Sequence, residues 1–254
     1  MTWCSSLSDV LIPQAVRDLL DWWLPRARGV LGASVRSVLL HGSVVLGDFQ
    51  AGWSDVDVCL VLRGPLSRER RAGLEALQRQ TDQSFLVRGA YGWSSGQTVD
   101  VIRVHAERGD LDHEHFVDPF DQLGLAAGAH LLAGEGLVVR RPGVAALEAR
   151  TRRLEQEASA PPPGASAVWY ASVPQLLARA VVFWRDGELI GKTEALSRLT
   201  EEGGEAAEAF APALRARRQG SSTAAEQIDA LRRAHLKATS FARAVLAQAC
   251  RRVS

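Results

Sequence analysis

Three aspartates stand out because each lies in a short run of apolar residues. Asp55 and Asp57 open the run DVDVCLVL, and Asp100 interrupts the run TVDVIRV. Residues two apart on a strand share a face, so Asp55 and Asp57 would project side by side, about 6.6 Å apart along the strand. A carboxylate among buried apolar residues is costly unless it binds a cation. The pattern therefore indicates a metal site shared by the three carboxylates.

The expected metal is Mg²⁺, because this ion prefers oxygen ligands and keeps positions for water and substrate phosphates. ATP or another nucleoside triphosphate would complete such a site. Two ions about 3.5–4 Å apart can activate an attacking hydroxyl and neutralise the leaving pyrophosphate. We predict that Asp55, Asp57 and Asp100 are catalytic ligands of two Mg²⁺ ions, and that Asp100 is also a candidate base for the hydroxyl proton.

A Gly-Ser pair precedes the first two aspartates, in the stretch HGSVVLGDFQAGWSDVD. Gly42 has no Cβ and lets the backbone approach a phosphate, while the Ser43 hydroxyl and amide can donate to its oxygens. A Gly-Ser turn alone, or an Asp-x-Asp pair alone, is typical of a solvated loop. Their combination with a third aspartate on a later strand favours a nucleotide site that includes Gly42, Ser43 and Ser54.

The first half of the chain is predicted to be α/β, with a mixed sheet and flanking helices. Short runs rich in Val and Leu, bounded by glycine-containing loops, predict strands, whereas apolar residues at helical spacing predict helices. The predicted helices start near Pro13 and at Ser67, the second ending near Thr81. The predicted strands are Ser34–Leu40, Asp55–Leu62, Phe85–Val87 and Thr98–Val104.

The second half of the chain is predicted to be a bundle of helices. The helical pattern covers Pro119–Ala133, Ala145–Ala158, Val173–Arg185, Lys192–Leu199 and Ala224–Arg251, and the segment from Glu201 to Ala213 is compatible with a surface helix. Two breaks rich in proline could separate the halves, Pro142-Gly143 and Pro161–Gly164. Composition alone does not choose between them.

The overall charge provides no strong field that would attract a nucleic acid or an anionic membrane. Thirty basic and 29 acidic residues give the 254-residue chain a net charge of +1 at pH 7. We therefore expect neither a nucleic acid nor a membrane as partner. No stretch stays apolar for the ~18 residues of a membrane span, and the start lacks a signal-peptide pattern, so a cytoplasmic location is predicted. The three cysteines lack the spacing of a zinc site. The oligomeric state is left open.

The HGS and SDVD motifs resemble the HGS and SDID signature of the nucleotidyltransferase superfamily, and specifically of the aminoglycoside adenylyltransferases of the streptomycin and spectinomycin type. Residues 176–195, LLARAVVFWRDGELIGKTEA, are similar to a helical segment of that family, LxRIWYxxxTGxIxxKxxA. Arg179 and Lys192 match its two basic residues at the same spacing.

The resemblance implies a function and a domain division. Residues 1–141 would form the catalytic domain and residues 142–254 a helical domain that completes the nucleotide and acceptor cleft. Arg179 and Lys192 would balance the charge of the triphosphate. The reaction would transfer AMP from ATP to a hydroxyl of a small molecule, with aminoglycoside-like compounds, and hence antibiotic resistance, as one candidate.

Three departures from the family bear on the substrate. The third carboxylate of the family is a glutamate, one methylene longer than Asp100. The family places drug-binding aspartates before the arginine-bearing helix, whereas the segment PPPGASAVWYAS has no carboxylate. A tyrosine beside the nucleotide has no counterpart near Arg217 and Arg218. The acidic stretch from Glu107 to Asp121 could instead attract a cationic acceptor, although such runs are usually solvated.

Two alternatives to the small-molecule enzyme follow from the same resemblance. Nucleotidyltransferase domains also occur in toxin and antitoxin pairs, where the object that is modified or bound is a protein. A triphosphate sensor without turnover would fit the missing drug contacts, but it gives no reason to keep three carboxylates. The carboxylate set favours catalysis, and the fused helical half favours a small-molecule acceptor.

Overall fold

The computed structural model describes residues 12–50, 53–86, 99–105, 111, 116, 118–220, 224 and 226–253, with backbone only at 84–86, 100 and 249–253. The chain divides into two compact units, Met1–Gly143 and Val144–Ser254. Among the described residues, no helix is both long enough and apolar enough to cross a membrane.

The first unit contains a mixed four-stranded sheet, in agreement with the predicted fold class. Its strands are β1 (Val35–Leu40), β2 (Val56–Leu62), β3 (Val99–His105) and β4 (His130–Gly134), in the order β3-β2-β1-β4. Strand β1 is antiparallel to β2 and to β4, whereas β2 and β3 are parallel. The strand that carries Asp57 therefore lies in the interior of the sheet.

Four α-helices accompany this sheet, namely α1 (Gln14–Leu31), α2 (Gly42–Val45), α3 (Arg68–Leu86) and α4 (Pro119–Gly128). Helix α1 buries Val16, Leu19, Leu20, Trp23 and Ala27, which recur at the spacing of one helix face. This stripe packs with alternate residues of the strands in the main core of the unit. Hydrophobic burial of that face explains why the first helix forms where the sequence predicts it.

Strand β2 is buried on both faces, which is why it reads as a continuous apolar run. Val56, Val58 and Leu60 belong to the core that contains α1. Cys59 and Val61 belong to a second cluster with Val104 and Leu125. Burial, and secondarily the charge of Asp121, raise the pKa of the Cys59 thiol to about 12. This cysteine therefore stays protonated and packs as an apolar core residue. By alternation, Asp57 lies on the face of this second cluster.

The second unit is helical, as predicted. It consists of α5 (Val144–Ser159), α6 (Ala167–Asp186), α7 (Lys192–Glu201), α8 (Gly204–Gln219) and α9 (Ile228–Val253). Helix α6 lies at the centre and packs against α7, α8 and α9. Its residues Leu177 and Val181 are fully buried in one core with Leu196 and Phe210. The element that carries Arg179 is thus the most enclosed helix of its unit.

Two element predictions were wrong. The helix predicted for Pro119–Ala133 ends at Gly128, and His130–Gly134 forms β4. Pairing with β1 supplies hydrogen bonds to both strands, a non-local gain that helical periodicity cannot reveal. The strand predicted at Phe85–Val87 is replaced at Phe85 and Leu86 by the last turn of α3, while Val87 lies outside the described residues, as does most of the acidic stretch after Glu107.

Glu135, directly after β4, forms hydrogen bonds with residues of β1. Its carboxylate accepts from Arg36 Nε at 3.1 Å and from Arg63 at 2.6 Å, and its carbonyl accepts from the Ser37 hydroxyl at 2.6 Å. The two hydrogen bonds from arginine lower the pKa of the Glu135 carboxyl. Gly134 makes this approach possible, because it has a φ of 95° and its Cα lies against the backbone of β1.

We expect Gly134→Ala to destabilise the protein by roughly 1–3 kcal/mol or more, because alanine is strained at positive φ and its Cβ would lie within 2.9 Å of Arg36 and Ser37 backbone atoms. Gly136→Ala is the matched control, since nothing lies within 4 Å of a Cβ there. Urea unfolding measures both changes. Equal midpoints for the two variants would contradict the close packing of β4 on β1.

Candidate functional site

The turn that follows β1 lies directly beside the start of β2. The backbone amide of His41 donates to the carbonyl of Asp57 at 3.0 Å, which extends the β1–β2 pairing past Leu40. Gly42 then adopts a φ of 67° and begins the short helix α2. This left-handed conformation favours glycine and turns the chain sharply. The predicted Gly-Ser turn and the predicted Asp-x-Asp pair are therefore neighbours.

Gly42 is required for a reason that the sequence does not reveal. A Cβ at position 42 would overlap the carboxylate of Asp57. The absence of a side chain therefore leaves room for the carboxylate against the backbone of the turn. The sequence predicts that Gly42 lets a phosphate approach; within the protein, the group that approaches Gly42 closely is the side chain of Asp57.

Ser43 offers a hydroxyl that the described residues do not use. Its Oγ atom is buried and has no hydrogen-bond partner among them, while its carbonyl accepts from the amide of Asp48 at 2.8 Å. A buried hydroxyl without a partner costs about 1–3 kcal/mol, which a ligand oxygen could recover. This orphaned donor, one residue after Gly42, fits an anionic oxygen beside the carboxylate of Asp57.

Ser54 closes the loop that precedes Asp55. It is buried, its Oγ accepts from the amide of Gln50 at 3.1 Å, and its own amide donates to the Gln50 carbonyl at 2.9 Å. These two contacts fix the backbone that leads into β2. The observed role of Ser54 is thus to hold Asp55 in place, and its predicted contact with nucleotide stays a prediction.

The two aspartates of the motif are partly accessible, in contrast to their neighbours on the strand. Asp55 and Asp57 are half-buried, whereas Val56 and Val58 between and after them have no exposed surface. The valines anchor the strand in the core, and the carboxylates occupy the alternate positions. A ligand can therefore reach the carboxylates without disturbing the packing of the sheet.

The third predicted carboxylate lies on the adjacent strand. In the parallel pairing of β2 and β3, Asp100 is the direct partner of Asp57. Neighbouring strands are about 4.8 Å apart, so the two backbone positions are adjacent at one end of the sheet. The Asp100 side chain is outside the described part of the chain. Among the described side chains, no three His, Cys, Asp or Glu groups cluster closely enough to hold a metal ion.

His41 adds no positive charge to this site. It is only 4% exposed, and burial lowers the pKa of its imidazole to about 4. Its Nε2 atom has no hydrogen-bond partner within the described residues. The imidazole is therefore neutral at physiological pH, so it contributes no charge to the surroundings of Asp55 and Asp57.

The two cations implied by the resemblance lie on successive helices of the second unit. Arg179 is in the middle of α6 and Lys192 is the first residue of α7, and both are half-buried. A five-residue connection, Gly187–Gly191, joins the two helices. Partial burial restricts the motion of both side chains.

Sequence reasoning missed the buried arginine of this unit. Arg217, on α8, is 2% exposed; its Nε donates to the Thr193 hydroxyl at 2.8 Å and its NH1 group to the Gln175 amide oxygen at 3.0 Å. The signal was present, because Phe210, Ala213, Leu214 and Arg217 follow the spacing of one buried helix face. A charged residue on an apolar stripe is the feature that could have found it.

We expect Gly42→Ala to be much more destabilising than Gly47→Ala. Both glycines have a φ near +66°, so the backbone strain of about 1–2 kcal/mol is shared. Only at position 42 would the new Cβ meet a neighbour, the Asp57 carboxylate; at position 47 nothing lies within 4 Å. Chemical denaturation of the two variants isolates this contact. Equal losses of stability would show that Asp57 does not press against the turn.

Two comparisons with known proteins find similarity to nucleotidyltransferases. Residues 27–112 match the family described as nucleotidyltransferase domain, and this range includes Gly42, Ser43, Asp55, Asp57 and Asp100. No relative is found among curated proteins. The structure is similar to that of the spectinomycin adenyltransferase AAD(9) from Enterococcus faecialis, which was crystallised with ATP and spectinomycin. The TM-score is 0.60 at 13% identity, over 86% of this chain and 98% of that chain.

The family match lies within the first unit, whereas the structural similarity extends over most of the chain. Residues 27–112 thus match the nucleotidyltransferase domain family, and the fold of the chain is similar to that of a spectinomycin adenyltransferase, in agreement with the resemblance found in the HGS and SDVD motifs.

Proposed function

We propose that this protein transfers a nucleoside monophosphate, AMP from ATP, to a hydroxyl group of a small molecule. The observation that carries the proposal is the juxtaposition of the Gly42-Ser43 turn with Asp57, and of Asp57 with its register partner Asp100, inside the nucleotidyltransferase domain. A turn with an orphaned hydroxyl and a set of carboxylates is suited to a metal-bound triphosphate.

Asp55, Asp57 and Asp100 are the proposed ligands of Mg²⁺. The oxygen donors of all three residues and the partial exposure of Asp55 and Asp57 fit this ion, which when bound would neutralise triphosphate charge and lower the pKa of an attacking hydroxyl. The backbone of the Gly42 turn holds Asp57 in place. The Ser43 hydroxyl would donate to a phosphate oxygen, and Asp100 is the proposed acceptor of the hydroxyl proton. Ser54 keeps the preceding loop closed.

Arg179 and Lys192 are proposed to bind the triphosphate through the helical unit. Their spacing matches the basic residues of the aminoglycoside adenylyltransferases, and both are half-buried on adjoining helices. Guanidinium and ammonium groups form charge-assisted hydrogen bonds to phosphate oxygens, which are stronger than neutral ones. The metal and the two side-chain cations would then together balance the negative charge of the triphosphate.

The proposed acceptor is a hydroxyl compound less cationic than streptomycin. The AAD(9) enzyme binds the small molecule spectinomycin, which supports a small-molecule acceptor. In this chain the segment 161–172, before Arg179, has no carboxylate, and it carries Trp169 and Tyr170. These rings contact His235 at centroid distances of 4.9 and 5.4 Å. A segment with aromatic rings and no carboxylate would favour sugar rings and apolar faces over a desolvated guanidinium, which needs a carboxylate partner.

The first test of the proposal is the replacement of each motif aspartate. Asp55→Asn and Asp57→Asn should each reduce transfer by more than about 100-fold, because a neutral amide is a poor Mg²⁺ ligand. The fold should persist, and the thermal midpoint of the metal-free protein should stay equal or rise as negative charge is removed. Asp21→Asn, on the exposed surface of α1, is the control. Pyrophosphate release from ATP and Mg²⁺ over a panel of hydroxyl acceptors gives the readout.

Near-normal turnover of Asp57→Asn would exclude the proposed active site. If the wild-type protein binds ATP only when Mg²⁺ is present but modifies no small molecule, the acceptor assignment fails while nucleotide binding stands. Incubation with labelled ATP and a cell extract would then reveal whether a protein becomes labelled instead.

The second test concerns the cations. Arg179→Ala and Lys192→Ala should each weaken ATP binding by about 10- to 100-fold, the loss expected for a hydrogen bond to a charged group. Titration calorimetry in Mg²⁺ measures the dissociation constants. Arg153→Ala, on the exposed face of α5, is the matched charge control. Unchanged affinity in both variants would show that the helical unit does not bind the triphosphate.

A further inference from the structure

Arg217 ties three helices of the second unit together. It projects from α8 and donates to Thr193 on α7 and to Gln175 on α6, at 2.8 and 3.0 Å. Its residual exposure of 2% places the guanidinium in the interior. A planar guanidinium has several donors at fixed angles, so it can satisfy two acceptors on different helices at once. The side chain therefore sets the position of α7 against α6.

The two acceptors adjoin the two proposed nucleotide-binding cations. Gln175 precedes Arg179 by four residues on α6, which is about one turn and 6 Å along the same helix face. Thr193 directly follows Lys192 in the first turn of α7. One buried side chain thus holds a residue next to each cation. A displacement of α7 relative to α6 would change the distance between Arg179 and Lys192.

The first turn of α7 has no side-chain cap. Its N-cap is Gly191, which offers no side-chain hydrogen bond to the first turn. The connection from α6 begins at Gly187, which has a φ of 77°. Capping side chains normally hold the first turn of a helix through its free amides. Here the link from Arg217 to the Thr193 hydroxyl holds that turn from a neighbouring helix.

Burial of a guanidinium is an expensive way to fill a helix interface. An apolar side chain of similar length would pack there without desolvating a charge, and such replacements are often neutral or stabilising in other proteins. Packing alone therefore does not account for an arginine at position 217. A requirement for one defined arrangement of α6 and α7 does account for it.

We propose that Arg217 is a positioning residue, which holds Arg179 and Lys192 at the spacing that binds one triphosphate without itself touching the nucleotide. This inference rests on the proposed function, because it assigns Arg217 a role only through the two cations. Loss of the Arg217 contacts should therefore displace Lys192 and weaken ATP binding, even in variants that remain fully folded.

The test measures ATP dissociation constants by calorimetry in Mg²⁺, at a temperature where unfolding curves show every variant to be folded. Arg217→Met should weaken binding at least 10-fold. Thr193→Val, which removes one acceptor without changing charge, should weaken it about 3- to 10-fold. Arg217→Lys should recover only part of the loss, because an ammonium cannot span both acceptors. Arg215→Met, an exposed arginine of the same helix, should bind ATP as the wild type does.

A double-mutant cycle separates positioning from general structural damage. If Arg217 acts through Lys192, Thr193→Val should cause little further loss in a Lys192→Ala background, so the two effects are not additive. Full additivity would overturn the inference. It would also be overturned if Thr193→Val, or a folded Arg217→Met, bound ATP with wild-type affinity, or if Arg215→Met weakened binding equally. Failure of the wild-type protein to bind ATP at all would instead refute the proposed function.

Discussion

The contact between the Gly42 backbone and the Asp57 carboxylate is the constraint on which the candidate site depends. It requires a residue without a side chain at the end of β1 and a left-handed turn, and the hydrogen bond from His41 to Asp57 sets the register in which the two meet. Because β1 pairs with β2 over its whole length, a shift by one residue would move Asp57 to the opposite face of the sheet. The position of the carboxylate is therefore inseparable from the packing of the core.

The same register joins the remaining parts of the first unit. Strand β2 carries alternate apolar residues into the core with α1, which leaves Asp57 on the other face, and its parallel pairing brings Asp100 alongside. On the far side of β1, β4 is held by Gly134 and Glu135. Buried strand residues thus surround the two half-buried carboxylates of Asp55 and Asp57. A functional site of this kind needs little specialised structure beyond the choice of residue at a few positions.

Much of this arrangement could be predicted from the sequence, and the failures have physical causes. Strands β1 and β2 and helix α1 were predicted because their apolar periodicity extends over several residues. Strand β4 was missed because its five residues gain their stability from pairing with β1, which no local pattern records. The contact of Gly42 with Asp57 and the burial of Arg217 were missed because both depend on residues distant in sequence. Gly42 and Arg217 are unusual residue types for their positions, but the sequence does not identify the residues that they contact.

The two units fix their charged groups in opposite ways. In the first unit, the absence of a side chain at Gly42 makes room for a carboxylate; in the second, the long side chain of Arg217 spans the gap between two helices that carry cations. In both units, part of the free-energy cost of burying a charged group is incurred when the unit folds, before any ligand binds. A charged group whose position is already restricted loses less conformational entropy when it binds a ligand.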